Sequence, residues 1–418
     1  MRAAAVVLHR WGGLLIAAFL ILAGFTGAVI SWDHELDDLL NPHLMQTDTV
    51  GPRQDPLELA RAIEHRYPEV RVSFVPLAPK NSGASLAFGI VPRVDPNTGE
   101  LHEPGFNQVF VDPVSGRVLG TREWGAVWPI SRETLVSFLY VLHYSLHLPE
   151  AFGTDRWGVW LMGGIAVLWM ADCFVGAYLT LPLRRRAPAS GRADAGRWAA
   201  RWAPAWKIRF GAGACKLNFD LHRAAGLWAW ALLFVIAFTA FSLNLYRELF
   251  LPVMAQVSQV TPSPFDLRAP RPETHPVEPA FGYARALALG QAERERRGWR
   301  DPPGSLFYSP DFGIYGIAFF APGEGHGAGG AGHRELYFDA RDGRLLGARQ
   351  PWRGTAADLF IQAQFPLHSG RIFGLPGRIL VSFMGLVVVL LSVTGIVIWW
   401  RKFKARSARC RLAARPPQ

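Results

Sequence analysis

Four stretches of this 418-residue chain run about twenty residues or more with almost no charge, long enough to cross a hydrocarbon core of about 30 Å. They lie between Arg10 and Asp33, between Arg156 and Leu183, between Arg223 and Arg247, and between Arg378 and Arg401. Each predicts a transmembrane helix. The first is too long for a signal peptide, lacks an A-x-A-like cleavage site before Trp32 and has a counterpart in mid-chain, so it reads as a retained helix.

Charge orients these helices. Arg184, Arg185, Arg186, Arg192, Arg197, Arg201, Lys207, Arg209 and Lys216 crowd one loop, against Asp194 and Asp220. The tail after Trp400 carries Arg401, Lys402, Lys404, Arg406, Arg409, Arg411 and Arg415 and no acid. In a soluble chain, a net charge of +11 would suggest nucleic acid as a partner. Here the basic residues sit in short loops beside apolar spans. The positive-inside rule therefore places both termini and this loop in the cytoplasm, on a bacterial inner membrane, with lipid and not nucleic acid as the partner. The three cysteines, Cys173, Cys215 and Cys410, all fall outside the large inserts, so no disulfide framework is expected. The absence of C-x-x-C-H excludes covalently attached haem.

The chain also repeats itself. LHRWGGLLIAAFLILAGFTGAVISW from Leu8 matches LHRAAGLWAWALLFVIAFTAFSLNL from Leu221, and FNQVFVDPVSGRVLGTREW from Phe106 resembles RELYFDARDGRLLGARQPW from Arg334. HLPEAFG at His147 likewise resembles HSGRIFG at His368. The expected fold is a mainly α membrane protein of four transmembrane helices, built as a duplicated helix–insert–helix unit. Residues 1–33 form the first span, 34–132 an insert, 133–183 an outer-side helix and the second span, and 184–217 a cytoplasmic loop. Residues 218–248 form the third span, 249–358 the second insert, 359–401 an outer-side segment and the fourth span, and 402–418 a tail. Each insert opens with a helical pattern, DPLELARAIEHRYP or EPAFGYARALALGQAERERRGW, and continues in alternating strand-like segments. The DPVSG and DARDG segments have the composition of hairpin turns. One helix on a small antiparallel sheet is expected of each. RWAARWAPAWKIRF, with Trp198, Trp202 and Trp206 at spacing four, predicts an amphipathic helix on the inner leaflet.

Five of the twelve histidines are placed unusually. His9 and His222 occupy equivalent repeat positions at the cytoplasmic starts of the first and third spans. His147 and His368 are equivalent at the other face, and His143 lies four residues before His147. Two facing imidazoles at one membrane depth suit the axial positions of a b-type haem, and two layers suit two. Gly12, Gly13 and Gly226 on one side, and Gly370 and Gly374 on the other, would let a macrocycle approach. The competing reading of His143 and His147 is an H-x-x-x-H site for a divalent metal, although one such pair supplies only two of about four ligands that zinc prefers. His34, His43, His65, His102, His275, His326 and His333 lie in the inserts as expected surface residues. Asp172 is an acid inside a span, where charge is costly; it serves as a proton relay or ties its helix to a neighbour.

LHRWGGL at His9, LHYSLHLP at His143, DLHRAAGLW at His222, PLHSGRIFGLPGR at His368, DCFVGAYLTLP at Asp172 and the closing LSVTGIVIWW resemble the PepSY-associated transmembrane family over nearly the whole chain. The resemblance implies two periplasmic α+β PepSY-like inserts and two haem b groups held by His9, His222, His368 and either His143 or His147. It further implies an oxidoreductase that reduces a ferric siderophore or other ferric chelate on the periplasmic side, fed by a cytoplasmic electron donor or quinol. No G-x-G-x-x-G fingerprint provides a nicotinamide or flavin site. The rival expectations are a membrane-bound PepSY-type regulator, and a siderophore or metal transporter without redox activity.

Overall fold

The structure, a computed structural model, describes residues 1–183 and 195–413. Arg184, Arg185, Arg186, Arg192, Asp194 and Arg415 lie outside the described residues, as do the side chains of Arg197, Arg406, Arg409, Arg411 and Cys410. The first insert follows α1 (Arg2–Ile30) and holds α2 (Asp33–Leu40), α3 (Pro42–Met45) and α4 (Pro56–Arg66). Its strands are β1 (Val70–Pro76), β2 (Leu86–Pro92), β3 (Gln108–Val111) and β4 (Val118–Arg122). Then come α5 (Leu135–Ser145), α6 (Trp157–Thr180), α7 (Ala195–Trp202) and α8 (Ala214–Asn244). The second insert follows α9 (Leu251–Val257) with α10 (Tyr283–Arg296), β5 (Pro303–Ser309), β6 (Ile314–Phe319), β7 (Arg334–Asp339) and β8 (Leu345–Arg349). The chain closes with α11 (Ala356–His368) and α12 (Gly374–Ala413).

These elements form two compact units. One gathers residues 1–31, 140–252 and 367–418; the other gathers 32–139 and 253–366. The helical unit contains the four helices that are long and apolar enough to cross a membrane among the described residues. In lipid, a helix satisfies its own backbone, so such spans need only side-chain packing to associate. Small residues provide it between α1 and α12: a Cβ added to Gly24 would lie 2.7 Å from the carbonyl oxygen of Gly385. Ile16, Leu20, Ile165, Leu233, Met384, Val387 and Val388 fill the centre. Leu15, Phe25, Leu168, Trp228, Phe383 and Leu386 point outward and exposed, as lipid-facing side chains do. Polar clamps close the ends. Arg2 donates to the carbonyls of Leu181 and Leu179 at 2.9 and 2.6 Å, and Arg378 donates twice to that of Ser31.

Helix α12 continues past the fourth apolar run through the basic segment to Ala413, because nothing there breaks it. One expectation about these helices changes. The amphipathic segment does not run as one helix to Phe210. Helix α7 stops at Trp202, and Pro204 directs the next residues into a 3₁₀ turn, Ala203–Trp206. The Trp198, Trp202 and Trp206 rings still pack in series at 5.3 and 5.1 Å.

The sheet unit departs furthest from expectation. Each insert does supply a helix and a four-stranded antiparallel meander, but the eight strands form one sheet in the order β4-β3-β2-β1-β5-β6-β7-β8. Strands β1 and β5 pair antiparallel at the seam, with Phe74 opposite Phe307 and Val75 opposite Leu306. An isolated meander leaves a row of unpaired N–H and C=O groups along its edge strand; pairing the two edges satisfies both rows. A bulge between Val72 and Phe74 restores the alternation so that Val70, Val72 and Val75 all reach the core. Leu77, Tyr283 and Leu287 pack against the core clusters of both halves. The Tyr283 hydroxyl, on α10, donates to the Val72 carbonyl at 2.5 Å and so crosses the seam.

Both hairpin turns form where the composition placed them. The Asp112 carboxylate accepts from the backbone of Val114, from Ser115 and from Thr49 Oγ1, and Gly116 takes φ 72°. Burial penalises the Asp112 charge, but these hydrogen bonds outweigh it and hold the carboxyl well below its usual range. The same balance lowers Asp358, which accepts from Thr261 and Thr355. A carboxyl depressed in the folded state contributes stability that is present above its unfolded value of about 3.9 and lost as pH falls through the folded one. Hydrogen exchange of the β3–β4 amides, corrected for intrinsic rates, should therefore accelerate below about pH 4. Asp112→Asn should be less protected at neutral pH and should lose much of that acid response.

Candidate functional site

Two imidazole pairs lie inside the helical unit. His9 on α1 and His222 on α8 have ring centres 6.1 Å apart with planes at 53°. His143 near the end of α5 and His368 at the end of α11 repeat the arrangement, at 6.1 Å and 54°. Thr26 touches His143 and Thr239 touches His368, each seventeen residues beyond the histidine of the other pair on its own helix. At 1.5 Å per residue the two layers are therefore about 25 Å apart along the helices.

Each ring has its Nδ1 engaged by a different helix. His9 Nδ1 is 2.8 Å from Asp172 Oδ1 on α6, and His222 Nδ1 is 3.0 Å from the Leu391 carbonyl on α12. A carbonyl only accepts, so His222 carries its proton on Nδ1. Thr26 Oγ1 donates its single proton to the Leu22 carbonyl at 2.8 Å, and hence receives the Nδ1–H of His143 at 2.9 Å. Thr239 does the same, donating to the Val235 carbonyl at 2.8 Å and receiving from His368 at 3.0 Å. The Nδ1–H tautomer leaves the Nε2 lone pair as the ligating atom on each ring.

The spacing tests whether a metal fits between such rings. Two metal–imidazole bonds of about 2 Å, with about 1 Å from each Nε2 to its ring centre, separate the centres by about 6 Å. Both pairs match that value, so His9 with His222 and His143 with His368 would suit a metal held between two imidazoles, such as the iron of a b-type haem.

Three of the four rings, those of His143, His9 and His222, rest on glycine. A Cβ on Gly27 would lie 2.9 Å from His143 Cε1, on Gly176 3.3 Å from His9 Cε1, and on Gly395 3.2 Å from His222 Cε1. The glycines under the rings are distinct from those expected to leave room for a macrocycle. Gly12 and Gly374 face nothing within 4 Å, Gly13 and Gly226 have nothing nearer than 3.9 and 3.7 Å, and Gly370 packs against Gly377. Thr26 and Thr239 were also missed. Their signal was available, since each follows its Leu-His-Arg motif at the same offset.

Between the two candidates for the partner of His368, the structure brings in His143. Helix α5 ends at Ser145, and Leu146 and His147 both take left-handed φ values of 58° and 52°. His143 and His147 consequently do not share a helical face, and no group of three or more His, Cys, Asp or Glu converges on a metal-sized site among the described residues. Asp172 is accounted for as the partner of His9. Of the insert histidines, His34 and His326 meet at 2.9 Å and His43 pairs with Glu133 at 2.8 Å, all in the sheet unit, while His333 stacks on Phe320 at 4.0 Å.

Thr239 is buried, so Thr239→Val should remove the hydroxyl acceptor from the Nδ1–H of His368. The expected cost is about 1–3 kcal/mol, read as a lower thermal midpoint in detergent, whereas Thr239→Ser keeps the acceptor and most of the stability.

No curated protein matches this chain. The family model for the PepSY-associated TM region matches residues 6–402, which takes in all four long apolar helices and both inserts, and the chain belongs to that family of multi-pass membrane proteins.

Proposed function

We propose that this protein is a di-haem b oxidoreductase of the bacterial inner membrane that passes electrons to a ferric siderophore or similar ferric chelate at the periplasmic face. In this reading the chain is a duplicated helix–insert–helix unit with periplasmic inserts and cytoplasmic termini. The matching Leu-His-Arg segments, the two equal meanders and the basic loop and tail support that topology.

The observation that carries the reading is the pair of imidazole pairs, each with ring centres 6.1 Å apart and Nδ1 already engaged. His9 and His222 would hold the inner group, and His143 and His368 the outer. Haem bound in this way supplies one-electron redox chemistry. The protein's own part would be to fix the tautomer, hold the two rings of each pair 6.1 Å apart and exclude water with the apolar core around Ile16, Leu233 and Val388. Reduction releases the metal because Fe(II) binds hard oxygen chelators far less tightly than Fe(III). A soluble donor or quinol provides the electrons; a two-electron quinol serves two ferric ions and releases two protons. A regulator or a redox-inactive transporter would have no use for two such pairs.

Protein purified in mild detergent should give a dithionite-reduced minus oxidised spectrum with low-spin b-type bands and about two haems per chain by pyridine haemochrome. His143→Ala and His368→Ala should each lose about one of the two haems, His9→Ala and His222→Ala the other, and His147→Ala neither. Colourless protein from cells supplied with haem precursor would overturn the reading and restore the regulatory or transport alternatives.

A further inference from the structure

The two layers differ in one respect. At the outer layer both Nδ1 atoms face neutral threonine hydroxyls, Thr26 and Thr239. At the inner layer His222 faces neutral acceptors, the Leu391 carbonyl and Thr394 Oγ1, but His9 faces the carboxylate of Asp172. Among the described residues Asp172 has no guanidinium or ammonium ion-pair partner; its hydrogen bond is with His9. An acid in a membrane span is costly, and a simple tie between α1 and α6 could be made by a hydroxyl, as it is between α1 and α5.

We infer that Asp172 is a positioning residue that sets the inner site at a lower reduction potential than the outer one, so that electron flow runs downhill from the His9/His222 layer to the His143/His368 layer. This rests on the di-haem reading above. Two effects act in the same direction. A carboxylate accepting from Nδ1–H pulls the proton off the ring, makes Nε2 a stronger donor and favours the oxidised, more electron-poor metal. Its negative charge, in surroundings of low dielectric, also favours the state with the greater positive charge. Neither effect is present at the outer layer, where the acceptors are uncharged.

Potentiometric titration of the wild type, followed in the visible bands, tests this without any activity measurement. The couple missing from His9→Ala identifies the inner site. In the wild type that couple should lie lower by at least tenfold in its reduction equilibrium, which is about 59 mV for one electron. Asp172→Asn keeps a hydrogen-bond acceptor and removes the charge; it should raise the inner couple by a similar factor and leave the outer one in place. Should that variant fail to assemble, Thr26→Asp introduces the carboxylate beside His143 instead and should lower the outer couple. An inner couple that is no lower in the wild type, or that Asp172→Asn does not move, overturns the inference, as does an outer couple unmoved by Thr26→Asp. Wild-type protein without haem would instead overturn the di-haem reading on which it rests.

Discussion

Every imidazole of the two pairs commits its Nδ1 to a neighbouring helix, and the geometry of the helical unit depends on those four hydrogen bonds. They tie α1 to α6 through Asp172, α8 to α12 through Leu391, α1 to α5 through Thr26 and α8 to α11 through Thr239. In a bundle surrounded by lipid there is little hydrophobic drive to hold apolar helices in one register, and an unmade hydrogen bond inside it is expensive. The same four bonds therefore do two things. They fix helix against helix, and they hold the rings of each pair 6.1 Å apart. A shift of one helix by a single turn, about 5.4 Å, would break its bonds and separate its ring from the partner ring together.

Much of this arrangement was legible in the sequence. Four apolar runs announced the spans, because length and hydropathy alone decide whether a helix can cross a bilayer. Two identical Leu-His-Arg motifs placed His9 and His222 at one depth. The choice between His143 and His147 was not legible, because it depends on where α5 stops. Repeat matching aligned His147 with His368, yet the chain leaves the helix at Ser145 and turns through two left-handed residues, Leu146 and His147. A left-handed conformation at Leu and His is a tertiary outcome that local composition opposes. The glycines beneath the rings were not legible for a related reason. Gly27, Gly176 and Gly395 sit where another helix brings a ring over their backbone, and no sequence window holds both partners.

The continuous sheet was hidden for the same kind of reason. The alternation of each insert correctly predicted strands, and the Asp-containing turns correctly predicted hairpins, since both signals are local. The seam is a pairing of β1 with β5, more than 220 residues apart, and an edge strand that pairs looks the same in sequence as one that faces solvent. Only its consequences are specific. Phe74 and Phe307 face each other across the seam, Arg71 meets Glu278 at 2.5 Å, and Tyr283 reaches from one half to the backbone of the other.

The matching halves also show where likeness ends. Their threonines are equivalent, their ring separations are equal, and a glycine lies under His9 as under His222. The residue after each threonine differs: Gly27 follows Thr26, where a methyl would press on His143, but Ala240 follows Thr239. The Nδ1 partners of His9 and His222 differ as well. Asp172 lies four residues before Gly176 on α6, and Leu391 lies four before Gly395 on α12, so a charged side chain on one helix stands where the other offers only a backbone carbonyl. What the halves share is what places the rings, and what distinguishes them is the surroundings of rings already placed. The Leu391 carbonyl already places the His222 ring without a charge, so placement alone does not call for the acid; in the proposed reading its distinctive contribution is charge, delivered to one layer and withheld from the other.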